Sequence, residues 1–145
     1  MMETREEMPE TELAQAEKWL KEDRLARLLL EKSRLNPKVF KTMLLYYWGG
    51  GVPFEELAKK MHVQKPGAWK RWQRGRDAVL RSFYTLELAM YAGVLEPDIA
   101  DIVSQDLRDY ASLAREEGGL EEIQNRIEKR LVKMKKIMQG GRATP

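Results

Sequence analysis

The sequence predicts an all-α fold, and three observations predict it. Apolar side chains recur at steps of three and four along most of the 145 residues, the spacing that gathers one face of an α-helix. Helix-start and helix-stop residues punctuate the chain at Asn36-Pro37, Gly49 to Gly51, Pro53, Gly93, Glu96-Pro97 and Gly118-Gly119. The composition, 43% apolar and 34% charged, fits a folded and highly charged helical protein.

Residues 1–9 read as a polar tail. From Pro9 or Thr11 to about Arg34 the residues are strong helix formers, with Leu13, Ala16 and Leu20 in line; Lys21 to Arg24 break the stripe before Leu25, Leu28 and Leu29 resume it. A bend, or a restart capped by Asp23, is expected there. Asn36-Pro37 opens a helix with Val39, Phe40, Met43, Leu44 and Tyr47 on a dense apolar face, and the glycines at 49–51 close it. Pro53 opens a short helix whose buried face is Phe54, Leu57, Ala58 and Met61. His62, Val63 and Gln64 leave room only for a tight turn, with Val63 directed into the core.

A basic helix follows, with no stop signal at Arg81, so that either one helix reaches Gly93 or a second begins near Thr85. Residues 82–92 are apolar on most sides, which implies burial between neighbours or in a subunit interface. Glu96-Pro97 starts a helix carrying Ile99, Ile102, Val103, Leu107, Tyr110, Leu113 and Ala114 on its apolar face. The last helix, from Leu120 to about Gln139, aligns Leu120, Ile123, Ile127, Leu131, Met134 and Met138. That stripe is shorter than three heptads, so an antiparallel pair with the preceding helix is the simpler expectation, and pairing with another subunit the alternative. The expected organisation is a tail and helix over 1–35, a unit over 36–82 that contains the short helix and the basic helix, a helical dimerisation or oligomerisation region over 83–139, and a disordered tail over 140–145.

Cysteine is absent, which excludes disulfides, thiolate metal sites and cysteine nucleophiles and agrees with a reducing cytoplasm. No apolar run approaches the roughly 20 residues that span a bilayer, and the acidic N-terminus has no signal-peptide character. The expected location is the cytoplasm. Neither a phosphate loop, a nucleophile elbow nor a metal motif occurs. Glu55-Glu56, Glu116-Glu117 and Glu121-Glu122 are neighbours whose side chains diverge on a helix, and His62, the one histidine, reads as a turn residue. The sequence therefore predicts a protein that is not an enzyme and needs no cofactor.

Charge is concentrated in residues 59–81, where eight basic side chains meet one acid, Asp77: a net +7 in a chain of net +3. Such concentration points to a polyanion. Within PGAWKRWQRGRDAVLR, Ala68, Trp72, Gly75 and Val79 share one helical face and should be buried. Gly67, Lys70, Arg71, Arg74 and Arg81 share another, with Gln73 and Arg76 at its margin. A short helix, a three-residue turn and a second helix form the helix-turn-helix arrangement, whose second member enters the major groove.

Residues 44–80, LLYYWGGGVPFEELAKKMHVQKPGAWKRWQRGRDAVL, about a quarter of the chain, resemble the helix-turn-helix of sigma-factor region 4 and of the regulators and phage proteins that share it. Glu55, Glu56, Leu57 and Ala58 match that family's first helix. Arg71, Arg74, Arg76 and Leu80 match its trailing Arg-rich segment. The chain departs from the pattern in its longer glycine connection, in Pro66-Gly67 where a hydroxyl residue is usual, and in the bulk of Trp69 and Trp72. The promoter-melting regions of a complete sigma factor have no counterpart here.

The candidate DNA-binding residues are Lys59, Lys60, Lys65, Gly67, Lys70, Arg71, Gln73, Arg74, Arg76 and Arg81. Lys70, Arg71 and Arg74 are placed to read guanine or hold phosphates, Gln73 to pair with adenine, and Lys59, Lys60, Lys65 and Arg81 to hold phosphates at the flanks. Trp69 either wedges against a sugar or base edge or packs on the preceding helix, as Trp72 should. The leading expectation is a sequence-specific regulator that dimerises through residues 83–139. The alternatives are a ring-forming DNA-recruitment protein like a phage small terminase subunit, and a module that binds RNA polymerase or another acidic protein.

Overall fold

A computed structural model describes residues 11–115 and 119–139, and every regular element among them is a helix. The expected tails at 1–9 and 140–145 lie outside the described residues. The helices are α1 (Glu12–Glu22), α2 (Arg24–Lys32), α3 (Pro37–Trp48), α4 (Phe54–Met61), α5 (Lys65–Tyr91), α6 (Pro97–Ala114) and α7 (Leu120–Met138).

Local chemistry sets these boundaries. Thr11 Oγ1 accepts from the Ala14 N–H at 3.1 Å and opens α1. Asp23 ends α1 by donating its N–H to the Trp19 carbonyl, and starts α2 by accepting the Ala26 N–H on Oδ1 at 2.8 Å. One residue thus turns the expected N-terminal helix into two. Asn36 Oδ1 caps α3 through the Lys38 N–H, with Pro37 in the first turn. Past Trp48 the chain reverses through Gly50 and Gly51, whose φ angles of 75° and 87° suit residues without a Cβ.

The chain divides into two compact units between Phe83 and Tyr84. In the first, α1 packs on α2, α3 and α4. Ala16 and Leu20 of α1 share one core with Leu44 and Leu45 of α3, Leu57, Ala58 and Met61 of α4, and Ala68 of α5. Leu45 and Leu57 are almost wholly buried, each contributing about 1.5–3 kcal/mol of burial. The N-terminal helix is therefore part of the body that holds residues 36–82. Three helices of that length enclose little apolar surface alone, and α1 supplies the missing wall.

In the second unit α6 and α7 pack together, with Ile99 and Ile102 of α6 and Ile123 and Ile127 of α7 buried. The last helix thus pairs within the chain. The apolar stripes are narrower than expected: Leu107 and Ala114 of α6 and Leu120 and Met138 of α7 are exposed. Ionic contacts fasten the pair. The Arg130 guanidinium of α7 forks between two buried carboxylates of α6, bonding Asp106 at 2.5 Å through Nε and Asp109 through its terminal nitrogen; Arg126 adds a bond to Asp109 at 3.3 Å. No described helix is long and apolar enough to cross a membrane.

Candidate nucleic-acid interface

The expected site lies on α5, and the turn before it sets how α5 is presented. His62 closes α4 in the left-handed conformation, φ 58°, and the Val63 N–H reaches back to the Ala58 carbonyl at 3.0 Å. Val63 packs against the core from within the turn. The Gln64 carbonyl then accepts the Ala68 N–H at 3.0 Å, and α5 begins.

One face of α5 is fixed by packing. Ala68 is fully buried, and Gly75 rests against α3 so closely that a Cβ there would lie 2.7 Å from Met43 Cγ and 3.0 Å from Val39 Cγ1. Between them Trp72 closes an aromatic cluster, its ring centroid 5.3 Å from Tyr46 and 5.4 Å from Phe54, while Tyr46 and Phe54 stack at 5.6 Å. The Trp72 Nε1 is buried without a hydrogen-bond partner, a cost of about 1–3 kcal/mol that the ring contacts offset. Val79, expected on this face, is 39% exposed. Gly75 already meets Val39, two residues into α3, so the next turn of α5 has run past that helix.

The other face is open. Lys70, Gln73, Arg74, Asp77, Ala78 and Arg81 line a solvent-side groove of about 440 Å³. Four of the ten predicted site residues meet here. The remainder lie elsewhere. Arg71 is half-buried at the margin, and Gly67 is half-buried near Val63. The Arg76 guanidinium sits 5.6 Å from the Trp72 ring centroid, drawn toward the packed face as a cation over an aromatic ring. Lys59 is exposed, and Lys65 forms a solvent-exposed pair with Glu55 at 3.5 Å, the kind of contact that exchanges readily. Lys60 is committed to the fold: it bonds Glu12 of α1 at 2.7 Å and Glu56 at 3.4 Å, and the Glu12 bond above all raises its pKa.

Two further residues of α5 are placed by the fold. Asp77 lies among the cations of the groove, where helical register, counted outward from Arg74, would have placed it. Trp69, for which packing on α4 was one of two expectations, keeps 44% of its surface exposed, one position before Lys70. Among the described residues no group of three His, Cys, Asp or Glu side chains is placed to hold a metal ion.

No protein-family model matches the chain, and no curated protein or solved structure matches it. What the groove does is therefore argued from its own side chains. Its cations sit on a helix whose opposite side is packed through Ala68, Trp72 and Gly75 and whose front is open. Such a surface can approach a polyanion without reorganising the core.

Proposed function

We propose that this protein is a sequence-specific double-stranded DNA-binding protein, a transcriptional regulator whose α4–turn–α5 segment is a helix-turn-helix of the kind found in sigma-factor region 4. The observation that carries this reading is the division of α5: Ala68, Trp72 and Gly75 lock one side, and Lys70, Gln73, Arg74 and Arg81 occupy the solvent side. A recognition helix needs both halves of that division. In the major groove Lys70 and Arg74 offer donors to the guanine O6 and N7 acceptors or to phosphates, Gln73 pairs with adenine, and Asp77 accepts from the cytosine amino group. Lys59 and Lys65, at the flanks, add phosphate contacts without sequence information. Lys60, held by Glu12, is left out of the interface. The segment acts on cytoplasmic DNA without metal or cofactor.

Selection of bound duplexes from a random pool tests the reading. An enriched motif, together with affinity that falls steeply between about 50 and 200 mM salt, is the expected result. Recovery of random sequence only removes sequence specificity, and salt-insensitive or absent binding removes DNA as the partner. Arg74→Glu is expected to abolish binding in a gel-shift titration at moderate salt.

A further inference from the structure

The carboxy-terminal part of α5 does not hide its apolar side chains. Tyr84, Leu88 and Tyr91 lie at i, i+4 and i+7, one helical face, and are 62%, 67% and 94% exposed. Beside them, between α5 and α6, runs an apolar groove of about 570 Å³ walled by Leu86, Met90, Tyr91, Val103 and Leu107. Leu107, expected in the core, stands 59% exposed at this groove. A ridge and a groove therefore adjoin on the same patch. A monomer gains nothing from leaving such a surface in water.

Charge narrows the occupant. Residues 84–115 contain six acidic and two basic side chains, so a nucleic acid or an anionic membrane is repelled. Asp106 and Asp109, two of those acids, are already occupied by Arg130. What remains is a mildly acidic, largely apolar protein-binding surface. A two-fold interface uses the same patch on both molecules and so needs a patch complementary to itself. A ridge next to a groove satisfies that need, because each copy's Tyr84–Leu88–Tyr91 ridge can enter the other's groove. The exposed parts of Tyr84, Leu88, Tyr91, Val94 and Leu107 amount to on the order of 600 Å² per copy, against about 800 Å² per partner in a standard interface.

We infer that the face formed by Tyr84, Leu88 and Tyr91 of α5 and the adjoining α5–α6 groove is the docking surface for a second copy of this chain, closed by two-fold symmetry. The α6 wall of that groove is itself paired with α7 through Arg130. This inference deepens the proposed function, since a two-part DNA site needs two recognition helices, but it is tested without DNA.

Sedimentation equilibrium of the full chain between 1 and 100 μM is expected to show a dimer of twice the 16.9 kDa protomer mass. Leu88→Glu, at an exposed position, is expected to weaken dimerisation at least 30-fold with helix content unchanged by circular dichroism. Because the chain has no cysteine, Leu88→Cys provides a second measurement that does not depend on a disruptive charge. Mild oxidation of mixed chains is expected to join Leu88→Cys, on the ridge of one copy, to Leu107→Cys, in the groove of the other, and to give no covalent dimer between Leu88→Cys and Lys133→Cys on α7. A monomer at 100 μM, assemblies larger than two, or a dimer indifferent to both substitutions at Leu88 overturns the inference. A dimer that binds no duplex leaves the docking surface standing and removes the DNA reading; a monomer that binds duplex does the reverse.

Discussion

Gly75 of α5 and Met43 of α3 are in such close apposition that a single added carbon at Gly75 would lie 2.7 Å from Met43 Cγ. Met43 and Val39 are both buried, and Val39 Cγ1 lies 3.0 Å from the same point, so a methyl at Gly75 forces the Met43 side chain to shift within a packed region. Gly75→Ala is therefore expected to destabilise the protein by about 1–3 kcal/mol, despite the gain in helix propensity. Gly67 is the internal control. A Cβ there meets only Val63, at an ordinary 3.9 Å, so Gly67→Ala should stabilise α5 by about 0.5–1 kcal/mol. Urea denaturation of the two variants checks the pair. If Gly67→Ala gains stability yet loses duplex affinity, the backbone at Gly67 approaches DNA closely.

His62 bears the left-handed conformation that ends α4, with φ 58°, a region where a side chain is strained. Its N–H, donated to the Lys59 carbonyl, already serves a cap that glycine makes without that cost. His62→Gly is expected to raise stability by about 0.5 kcal/mol, even after the larger entropy of glycine in the unfolded chain is counted. A thermal scan is sufficient, and a loss of stability would show that the imidazole makes a contact worth more than the strain.

Capping residues announced the helices: Asn36, Asp23 and the glycines at 49–51 act locally, and local hydrogen bonding is what sequence spacing encodes. The buried face of α5 was legible through Gly75 and failed one turn later at Val79, because register says which side a residue occupies and not where its neighbour ends. For the same reason Lys60 looked like a phosphate ligand: its partner Glu12 is 48 positions away and belongs to a helix read as separate. The Arg130 fork was invisible, since Asp106 and Asp109 are 24 and 21 residues distant and look like a solvated face until α6 and α7 are folded together. Trp69 and Asp77 are a different case: the sequence offered two places for Trp69, which the fold leaves 44% exposed, and counted Asp77 only as the single acid of the basic segment, where it lines the groove.

The fork makes the second unit sensitive to acid. A hydrogen bond from Arg130, then one from Arg126, hold Asp109 below the ordinary carboxylate range. A depressed folded pKa stabilises the folded state above the unfolded value, about pH 4, and the contribution disappears as pH falls through the depressed value. Hydrogen exchange in α6 and α7 should accelerate below about pH 4 more than exchange in α3 and α4. Arg130→Met leaves two buried carboxylates facing an apolar group and is expected to cost about 3 kcal/mol, near the low end for a broken buried pair because Arg126 still faces Asp109. The same variant should lose most of the extra acid sensitivity, since its Asp109 no longer has the bond that depresses it.

Salt dependence separates the side chains of the candidate interface by role. Each phosphate contact removed lowers the slope of log affinity against log salt by about 0.9. Arg74→Ala, in the open groove, is expected to lower both affinity and slope; Lys60→Ala should leave the slope unchanged and instead loosen α4 from α1, because its ammonium is used by Glu12 and Glu56. Asp77→Asn gives the opposite sign. Removing the acid from among Lys70, Arg74 and Arg81 should tighten binding to random duplex several-fold while reducing the preference for a selected motif, if the carboxylate reads cytosine. Titrations of the three variants on selected and random duplexes at two salt concentrations distinguish these outcomes. Equal slopes for Arg74→Ala and Lys60→Ala would mean that the groove on α5 is not where the polyanion lies.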